Sequence, residues 1–303
     1  MSTNDITVGF VGLGHMGGPM AANLAKAGYV VKGFDLVPAA LEQARRDGVT
    51  VVDSAALAAT DADVVVTMLP SGKHVLDLYE GGLLTAARQG TLFVDSSTID
   101  VAAARAAHEL AEQAGHRSVD APVSGGVMGA AAGTLAFMVG GADEDFEAAR
   151  PLLEVMGRKV VHCGGPGVGQ AAKICNNMIL GVSMIAISEA FVLGEKLGLS
   201  NQALFDVASN ASGQCWALTT NCPVPGPVPA SPANNDYQPG FAAALMDKDL
   251  GLAANALRAN GVDAELGMRA AELYRRFHET GHGGEDFSAI IRDIRDRSNG
   301  ETR

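Results

Sequence analysis

Lys173, Asn176, Asn177 and Glu189 interrupt the apolar pattern of residues 165–197. Lys173 and Asn177 are four residues apart, so in a helix both would project from the same face. Burial lowers the pKa of a lysine, and a lowered pKa suits proton transfer near neutral pH. The stretch therefore predicts a general acid/base at Lys173 with Asn177 beside it. A lysine near a helix start whose ammonium reaches water would give the same pattern.

A glycine-rich turn follows the first apolar run, residues 6–11. A helix pattern over residues 18–27, a second apolar run over residues 29–34 and then Asp35 come next. This order is typical of a dinucleotide-binding unit, in which the glycines allow a tight turn and close approach of a pyrophosphate to a helix N-terminus. The predicted cofactor contacts in this turn are Gly12, Leu13, Gly14, His15, Met16 and Gly17.

Asp35 indicates which nicotinamide cofactor is bound. A carboxylate at the end of the second strand accepts hydrogen bonds from the adenosine ribose hydroxyls and would repel the 2′-phosphate of NADP. Arg45 and Arg46 lie too far along the chain to reverse this preference. The sequence therefore predicts NAD.

Further candidates stand where predicted strands end. Residues 63–69 and 91–94 are buried-type strands, and ligands of parallel sheets lie at the carboxyl ends of strands. Leu69, Pro70 and Thr98 are therefore expected to line the cofactor groove, although ordinary strand-to-helix turns would look the same. After the next strand, consecutive glycines beside a hydroxyl can form an anion-binding nest, or simply a turn. These residues are Ser124, Gly125 and Gly126.

Strand signals stop after residue 163, and helix patterns follow. This division predicts an α/β fold: an N-terminal Rossmann-type doubly wound sheet, residues 1–164, followed by an all-helical C-terminal domain, residues 165–303. A long interdomain helix, about residues 166–197, joins them and is expected to be buried and to carry Lys173 to the cleft between the domains. Residues 222–240 hold six of the twelve prolines and are expected to form an extended surface loop.

Composition narrows the possible partners. The chain has 303 residues and a net charge of −12, whereas nucleic acids and anionic membranes require a basic surface. Lys173, Asn176, Asn177 and Glu189 lie inside the long apolar helix, which argues against a membrane span. The chain opens without a signal-peptide pattern, and its four cysteines lack paired spacing, so we expect a cytoplasmic protein with reduced thiols.

His278 and His282 match the HExxH pattern of zinc proteases. That chemistry needs both histidines on one face of a continuous helix and a third ligand. Gly281 falls inside the motif and predicts that the helix ends there. We therefore expect no metal at this site.

The motifs together resemble the β-hydroxyacid dehydrogenase family over essentially the whole chain. GFVGLGHMGGPMAANLAKAGY resembles its cofactor fingerprint, DAPVSGGVMGAAAGTLAFMVGG its substrate-binding segment and GQAAKICNN its catalytic helix. The resemblance implies that Lys173 is catalytic, that Asn177 assists it, and that residues 124–126 hold the substrate carboxylate. It also implies cofactor contacts at Leu69, Pro70, His74, Thr98, Phe241 and Lys248, of which His74 differs in residue type from its counterpart in relatives.

Residues 212–253, which include the proline-rich loop, resemble members of the family that act on 3-hydroxyisobutyrate. The implied activity is NAD-dependent oxidation of (S)-3-hydroxyisobutyrate in valine breakdown by a homodimer or homotetramer. A sibling enzyme acting on tartronate, succinic or glyoxylic semialdehyde would share the catalytic residues and differ in the pocket around Met128, Trp216 and Phe241. A non-catalytic cofactor-binding scaffold of the same fold is the alternative from another class.

Overall fold

The computed structural model describes residues 6–300, which divide into two compact units. One unit runs up to Lys173 and the other from Ile174 onward. The prediction of a Rossmann-type sheet followed by a helical C-terminal region is confirmed. The domain boundary predicted at residues 164 and 165 stays a prediction.

A single sheet forms the centre of the first unit. Within residues 6–300 it has nine strands in the order β3-β2-β1-β4-β5-β6-β8-β7, with β9 paired to β8. The strands are β1 Thr7–Val11, β2 Val30–Phe34, β3 Thr50–Val51, β4 Val64–Thr67, β5 Leu92–Asp95, β6 Arg117–Asp120, β7 Val123–Ser124, β8 Leu135–Gly140 and β9 Gly157–Gly164. Buried apolar clusters cover both faces, which explains why strands β4 and β5 are apolar up to their last residues, Thr67 and Asp95.

The sheet is not parallel throughout. Strands β1 to β6 pair in parallel, as expected, but β8 runs antiparallel to β6 and to β7. Strand β7 has only two residues, and its partner in β8 lies beyond an intervening helix. Two residues are too few to show the alternating apolar and polar pattern that predicts a strand, so the sequence did not predict this pairing.

Helices connect the strands of the first unit. They are α1 Gly17–Lys26, α2 Pro38–Arg46, α3 Ala55–Ala59, α4 Gly72–Leu78, α5 Leu84–Ala86, α6 Val101–Gln113, α7 Gly126–Ala132 and α8 Asp143–Met156. Ser54 and Asp100 cap α3 and α6 with side-chain hydrogen bonds to backbone N–H groups. A turn of π-helix, Tyr79–Leu83, separates α4 from α5.

The helix α9, Val168–Lys196, is continuous over 29 residues. By length and composition alone it could cross a membrane, a test that core helices of soluble proteins also pass. Ile179 and Leu193 are exposed, so the expectation that every face would be buried is wrong for the chain as described. The apolar residues extend around more of the α9 surface than the core covers, so some of their side chains lie at the surface.

The second unit is built from helices. After α9 come α10 Asn201–Ala208, α11 Trp216–Thr219, α12 Ala243–Ala259, α13 Glu265–Phe277 and α14 Ile290–Ser298. Buried Tyr274, Phe277 and Phe287 anchor their shared apolar core. Short 3₁₀ turns, Pro232–Asn235 and Phe287–Ala289, complete the unit.

The proline-rich segment, residues 222–240, folds back on itself and is not extended as predicted. Tyr237 donates a hydrogen bond from its hydroxyl to the Pro223 carbonyl oxygen at 2.7 Å, and Ser231 donates one to the Cys222 carbonyl oxygen. The buried carboxylate of Asp286 accepts hydrogen bonds from groups on both sides of the segment, the Asn221 amide and the Gly240 N–H. Because proline has no backbone N–H to donate, side chains supply hydrogen bonds that close the loop.

A buried carboxylate lies at the end of β5. Asp95 Oδ1 accepts hydrogen bonds from the Thr67 hydroxyl at 2.7 Å and the Ser97 hydroxyl at 2.6 Å. Its Oδ2 is buried and has no hydrogen-bond partner among the described residues. Burial is the largest cause of a raised pKa for this carboxyl, from 3.8 to about 6.

This raised pKa predicts a dependence of stability on pH. Between about pH 6 and pH 4 the folded protein takes up a proton at Asp95 while the unfolded chain does not. We expect the free energy of unfolding of the parent, relative to Asp95→Asn, to rise by about 1 kcal/mol between pH 7.5 and pH 5. Urea unfolding at both pH values measures this difference. The exposed Asp53→Asn variant is the control, and a difference independent of pH would contradict the prediction.

Candidate active site

Steric contacts determine the glycine turn between β1 and α1. A Cβ at Gly12 would lie 2.2 Å from the Met68 carbonyl oxygen, and one at Gly17 would lie 1.9 Å from the Gly12 carbonyl oxygen. Gly12 also has a φ of +95°. A Cβ at Gly14 would meet nothing within 4 Å, and both Gly14 and His15 are exposed. Two glycines therefore close the turn, while the third leaves open space beside it.

That open space lies at the N-terminus of α1. The N-cap residue, Met16, makes no side-chain capping bond among the described residues, and the first turn carries no acidic residue. Backbone amides at such an end suit an anion. The turn, which also includes the buried Leu13, therefore fits a pyrophosphate.

Asp35 stands directly after β2, where its carboxylate is held by two backbone amides. Oδ2 accepts a hydrogen bond from the Leu13 N–H and Oδ1 from the Val37 N–H, both at 2.7 Å. The carboxylate is thereby fixed beside the glycine turn, where an adenosine ribose would lie next to the pyrophosphate. Leu36, the next residue, is 86% exposed and offers an apolar surface at the same point.

The last residues of β4 and β5, Thr67 and Asp95, are paired across the sheet. Leu69 and Pro70 follow β4, and Thr98 follows β5. The Leu69 N–H donates a hydrogen bond to the Ser97 hydroxyl at 2.8 Å, which joins the two turns. His74 lies on α4, is exposed, and shares a hydrogen bond of 2.7 Å with Ser71. These residues share the carboxyl edge of the sheet with the glycine turn, whereas their contacts with a cofactor stay predictions.

Ser124 ends β7, and two glycines with positive φ follow it. Gly125 has a φ of +130° and Gly126 a φ of +63°, which only glycine adopts readily. The turn leads into α7, so its amides point from the start of a helix. Anion binding at this turn stays a prediction.

Lys173 and Asn177 occupy successive turns of α9 and are buried, with 7% and 2% of their surfaces exposed. The Asn177 amide donates a hydrogen bond to Asp249 Oδ2 at 2.5 Å and accepts one from the Asn176 amide at 2.9 Å. Asp249 is itself buried. The two contacts fix the orientation of the Asn177 amide.

Sequence reasoning missed the groups that hold the first turn of α9. The buried Asp120 carboxylate accepts hydrogen bonds from the Gly167 and Gln170 N–H groups, both at 2.8 Å. A Cβ at Gly169 would lie 2.4 Å from the Met138 carbonyl oxygen, so glycine there permits the helix to approach the sheet. In the sequence, Asp120 is recognisable only as an acidic residue at the end of a strand. Its partners, Gly167 and Gln170, lie 47 and 50 positions further along the chain.

Two other predicted residues belong to the second unit. Phe241 is half-buried, packs edge-to-face on Phe287 at 5.6 Å between ring centroids, and donates its N–H to Asp286 at 3.1 Å. Lys248 lies on α12, also half-buried. Their roles toward a cofactor stay predictions. Met128 of the first unit and Trp216 of the second, expected around the pocket, are both more than half exposed.

The HExxH segment has a kink within it. Gly281 has a φ of +98° inside a π-helical turn, His278–His282. His278 pairs with Asp247 and His282 with Glu285, each at 2.8 Å. Among residues 6–300 no group of three or more His, Cys, Asp or Glu side chains could hold a metal ion.

Two family descriptions match the chain. Residues 7–165 match the NAD binding domain of 6-phosphogluconate dehydrogenase, and residues 167–294 match the NAD-binding domain of NADP-dependent 3-hydroxyisobutyrate dehydrogenase. The glycine turn, the Asp35 carboxylate and these matches agree on a nicotinamide dinucleotide, and the cofactor is NAD.

Individual proteins match along nearly their whole length. A probable 3-hydroxyisobutyrate dehydrogenase of Mycobacterium tuberculosis is 59% identical, covering 96% of this chain and 99% of the relative. An NAD-dependent L-serine dehydrogenase of Pseudomonas aeruginosa is 47% identical over 93% of this chain and 96% of its own. The solved structure of M. tuberculosis 3-hydroxyisobutyrate dehydrogenase with L-serine superposes with a TM-score of 0.93, at 59% identity and with 96% and 99% of the chains covered.

The Asp35 geometry predicts how strongly NAD is preferred over NADP. Asp35→Asn removes the charge that repels a 2′-phosphate and one acceptor of the Leu13 and Val37 amides. We expect the ratio of kcat/KM for NAD+ to that for NADP+ to fall at least tenfold. Steady-state kinetics with both cofactors measures the ratio, with Asp53→Asn as the control. An unchanged ratio would contradict the assignment.

Proposed function

The chain belongs to the β-hydroxyacid dehydrogenase family, and on that basis we propose that it oxidises (S)-3-hydroxyisobutyrate to methylmalonate semialdehyde. It is an NAD-dependent oxidoreductase, and the substrate is the part we propose. The observation that supports it best is a buried lysine, Lys173, on the helix segment that resembles the family's catalytic helix. The 59% identity to a probable 3-hydroxyisobutyrate dehydrogenase supports the same substrate.

Lys173 is assigned as the general acid/base. Its Nζ takes the proton of the substrate hydroxyl during oxidation and returns it to the carbonyl oxygen during reduction. Bound NAD+ supplies the acceptor for the hydride that leaves the same carbon. Burial favours this role, because it disfavours the charged ammonium and leaves the amine able to accept a proton.

The turn at residues 124–126 is assigned to the substrate carboxylate. The Ser124 hydroxyl and the amides of Gly125 and Gly126 are donors, and the positive φ angles allow successive amides to converge. Asp120, four residues before Ser124, bonds to α9 three residues before Lys173. Binding the carboxylate at this turn would place the hydroxymethyl carbon at a fixed distance from it, which selects short 3-hydroxy acids.

Asn177 is assigned to orient the substrate hydroxyl or Lys173. It lies one helical turn after Lys173 on the same face. Its amide is held in one orientation by Asn176 and Asp249. A fixed amide can direct a hydrogen bond without losing side-chain entropy when the substrate binds.

A second candidate substrate is L-serine. The 47% identical relative is an NAD-dependent L-serine dehydrogenase, and the 59% identical solved structure was obtained with L-serine. L-Serine shares the carboxylate and the hydroxymethyl group with 3-hydroxyisobutyrate, so the same donors and the same lysine would serve it. A sibling activity on tartronate, succinic or glyoxylic semialdehyde is the weaker alternative.

Three further expectations from the sequence stay proposals. They are a role in valine breakdown, a cytoplasmic location and assembly as a homodimer or homotetramer. The identities to 3-hydroxyisobutyrate dehydrogenases support the first of these.

Replacing the lysine tests the mechanism. Lys173→Met removes the proton acceptor, and we expect kcat to fall by about 10² to 10⁴, the usual contribution of general acid–base assistance. The Kd for NADH, measured by fluorescence, should change by less than threefold. Lys159→Met, at an exposed position, is the matched control. Turnover within tenfold of the parent would show that Lys173 does not have this role.

A substrate panel tests the function. NADH formation at 340 nm is followed with NAD+ and (S)- or (R)-3-hydroxyisobutyrate, L-serine, glycerate and 4-hydroxybutyrate. We expect the highest kcat/KM for (S)-3-hydroxyisobutyrate. A higher value for L-serine would favour the second candidate, and no turnover with any of them, despite NADH binding, would contradict both candidate substrates.

A further inference from the structure

Gln170, in the first turn of α9, is fully buried and bonds to the turn after β5 through both ends of its amide. Its Nε2 donates to the Ser97 carbonyl oxygen at 2.7 Å, and its Oε1 accepts from the Ile99 N–H at 3.1 Å. These two bonds fix which end of the amide is oxygen, because only one orientation satisfies both backbone groups. The side chain therefore joins α9 to a particular short segment of backbone.

That segment carries Thr98, a predicted cofactor contact, between the two bonded residues. Ser97 is further fixed by the Asp95 carboxylate and accepts a hydrogen bond from the Leu69 N–H. The position of Gln170 is thus tied to the ends of both β4 and β5.

The backbone of the same helical turn is held from β6. Asp120 accepts the Gly167 and Gln170 N–H groups, and His108 Nε2 lies 3.1 Å from Asp120 Oδ1. The other ring nitrogen of His108 shares a hydrogen bond of 2.7 Å with Ser118. Carboxylate binding at a helix N-terminus is favourable in itself, so Asp120 holds the helix start even without Gln170. Gln170 adds the connection to the Thr98 turn.

Gln170 lies three residues before Lys173, on the neighbouring position of the same helix face. We propose that Gln170 is a positioning residue, which fixes the Lys173 side chain relative to the turn that carries Thr98. The inference rests on the proposed function of Lys173. A displacement of about 1 Å between reacting groups can cost about 10²-fold in rate, so the two hydrogen bonds have a kinetic consequence.

The test is Gln170→Met, which keeps the length of the side chain and removes both hydrogen bonds. We expect kcat to fall about 10- to 100-fold, while the Kd for NADH changes less than threefold. The acidic limb of the pH profile of kcat/KM, which reports the group that must be deprotonated for oxidation, should also move, because the surroundings of the Lys173 amine change. Gln113→Met, at an exposed position on α6, is the matched control.

A purely structural role gives a different result. A lower melting temperature with kcat and the pH limb unchanged would overturn the inference, and so would a loss confined to NADH affinity. If Gln170→Met does not fold, Gln170→Glu replaces it, since it keeps volume and the acceptor for Ile99 while losing the donor to Ser97. The same criteria apply, and parent-like kcat with an unmoved limb overturns the inference.

Lys173→Met measured in parallel distinguishes failure of the proposed function from failure of this inference. Turnover close to the parent in Lys173→Met would overturn the proposed function and, with it, this inference. Loss of turnover in Lys173→Met combined with a parent-like Gln170→Met overturns only the inference.

Discussion

The Asp120 carboxylate determines where α9 begins. The first amides of a helix have no partner within the helix, and burying them without an acceptor is costly. Asp120, at the end of β6, accepts two of them, and the absence of side chains at Gly140 and Gly169 lets strand and helix come this close. Because α9 carries Lys173 one turn later, a single buried carboxylate links the edge of the sheet to the proposed proton acceptor.

The cofactor turn depends on a similar constraint after β1, at the same carboxyl edge of the sheet. Gly12 and Gly17 are in contact with backbone that a Cβ would overlap, so the turn has one close-packed form. The Asp35 carboxylate then bonds to the Leu13 amide, which fixes the ribose-binding group relative to the phosphate-binding turn. In both places glycine provides the space and a carboxylate provides the acceptor. Position in the site is set by backbone groups, which vary less in conformation than side chains.

Much of this arrangement follows from local sequence. The parallel strands, the glycine turn, Asp35 and the long helix are visible because apolar periodicity and glycine spacing are local properties. The antiparallel pairing of β7 with β8 was not predicted, since two residues carry no period. The bonds of Asp120 to Gly167 and of Asn177 to Asp249 were also missed, because each joins residues 47 or 72 positions apart. Proline content alone predicts an extended segment, whereas the Asp286 carboxylate, far along the chain, bonds to groups at both ends of the proline-rich segment and closes it.

A double-mutant cycle tests most directly whether Lys173 is the proton acceptor and whether the buried network acts through it. The kcat values of the parent, Gln170→Met, Lys173→Met and the double variant are compared under one set of conditions. If Gln170 only positions Lys173, removing it from a protein that already lacks Lys173 should change kcat by less than about threefold. A double variant slower than Lys173→Met by the full factor that Gln170→Met costs the parent would contradict the account, since the two residues would then act independently.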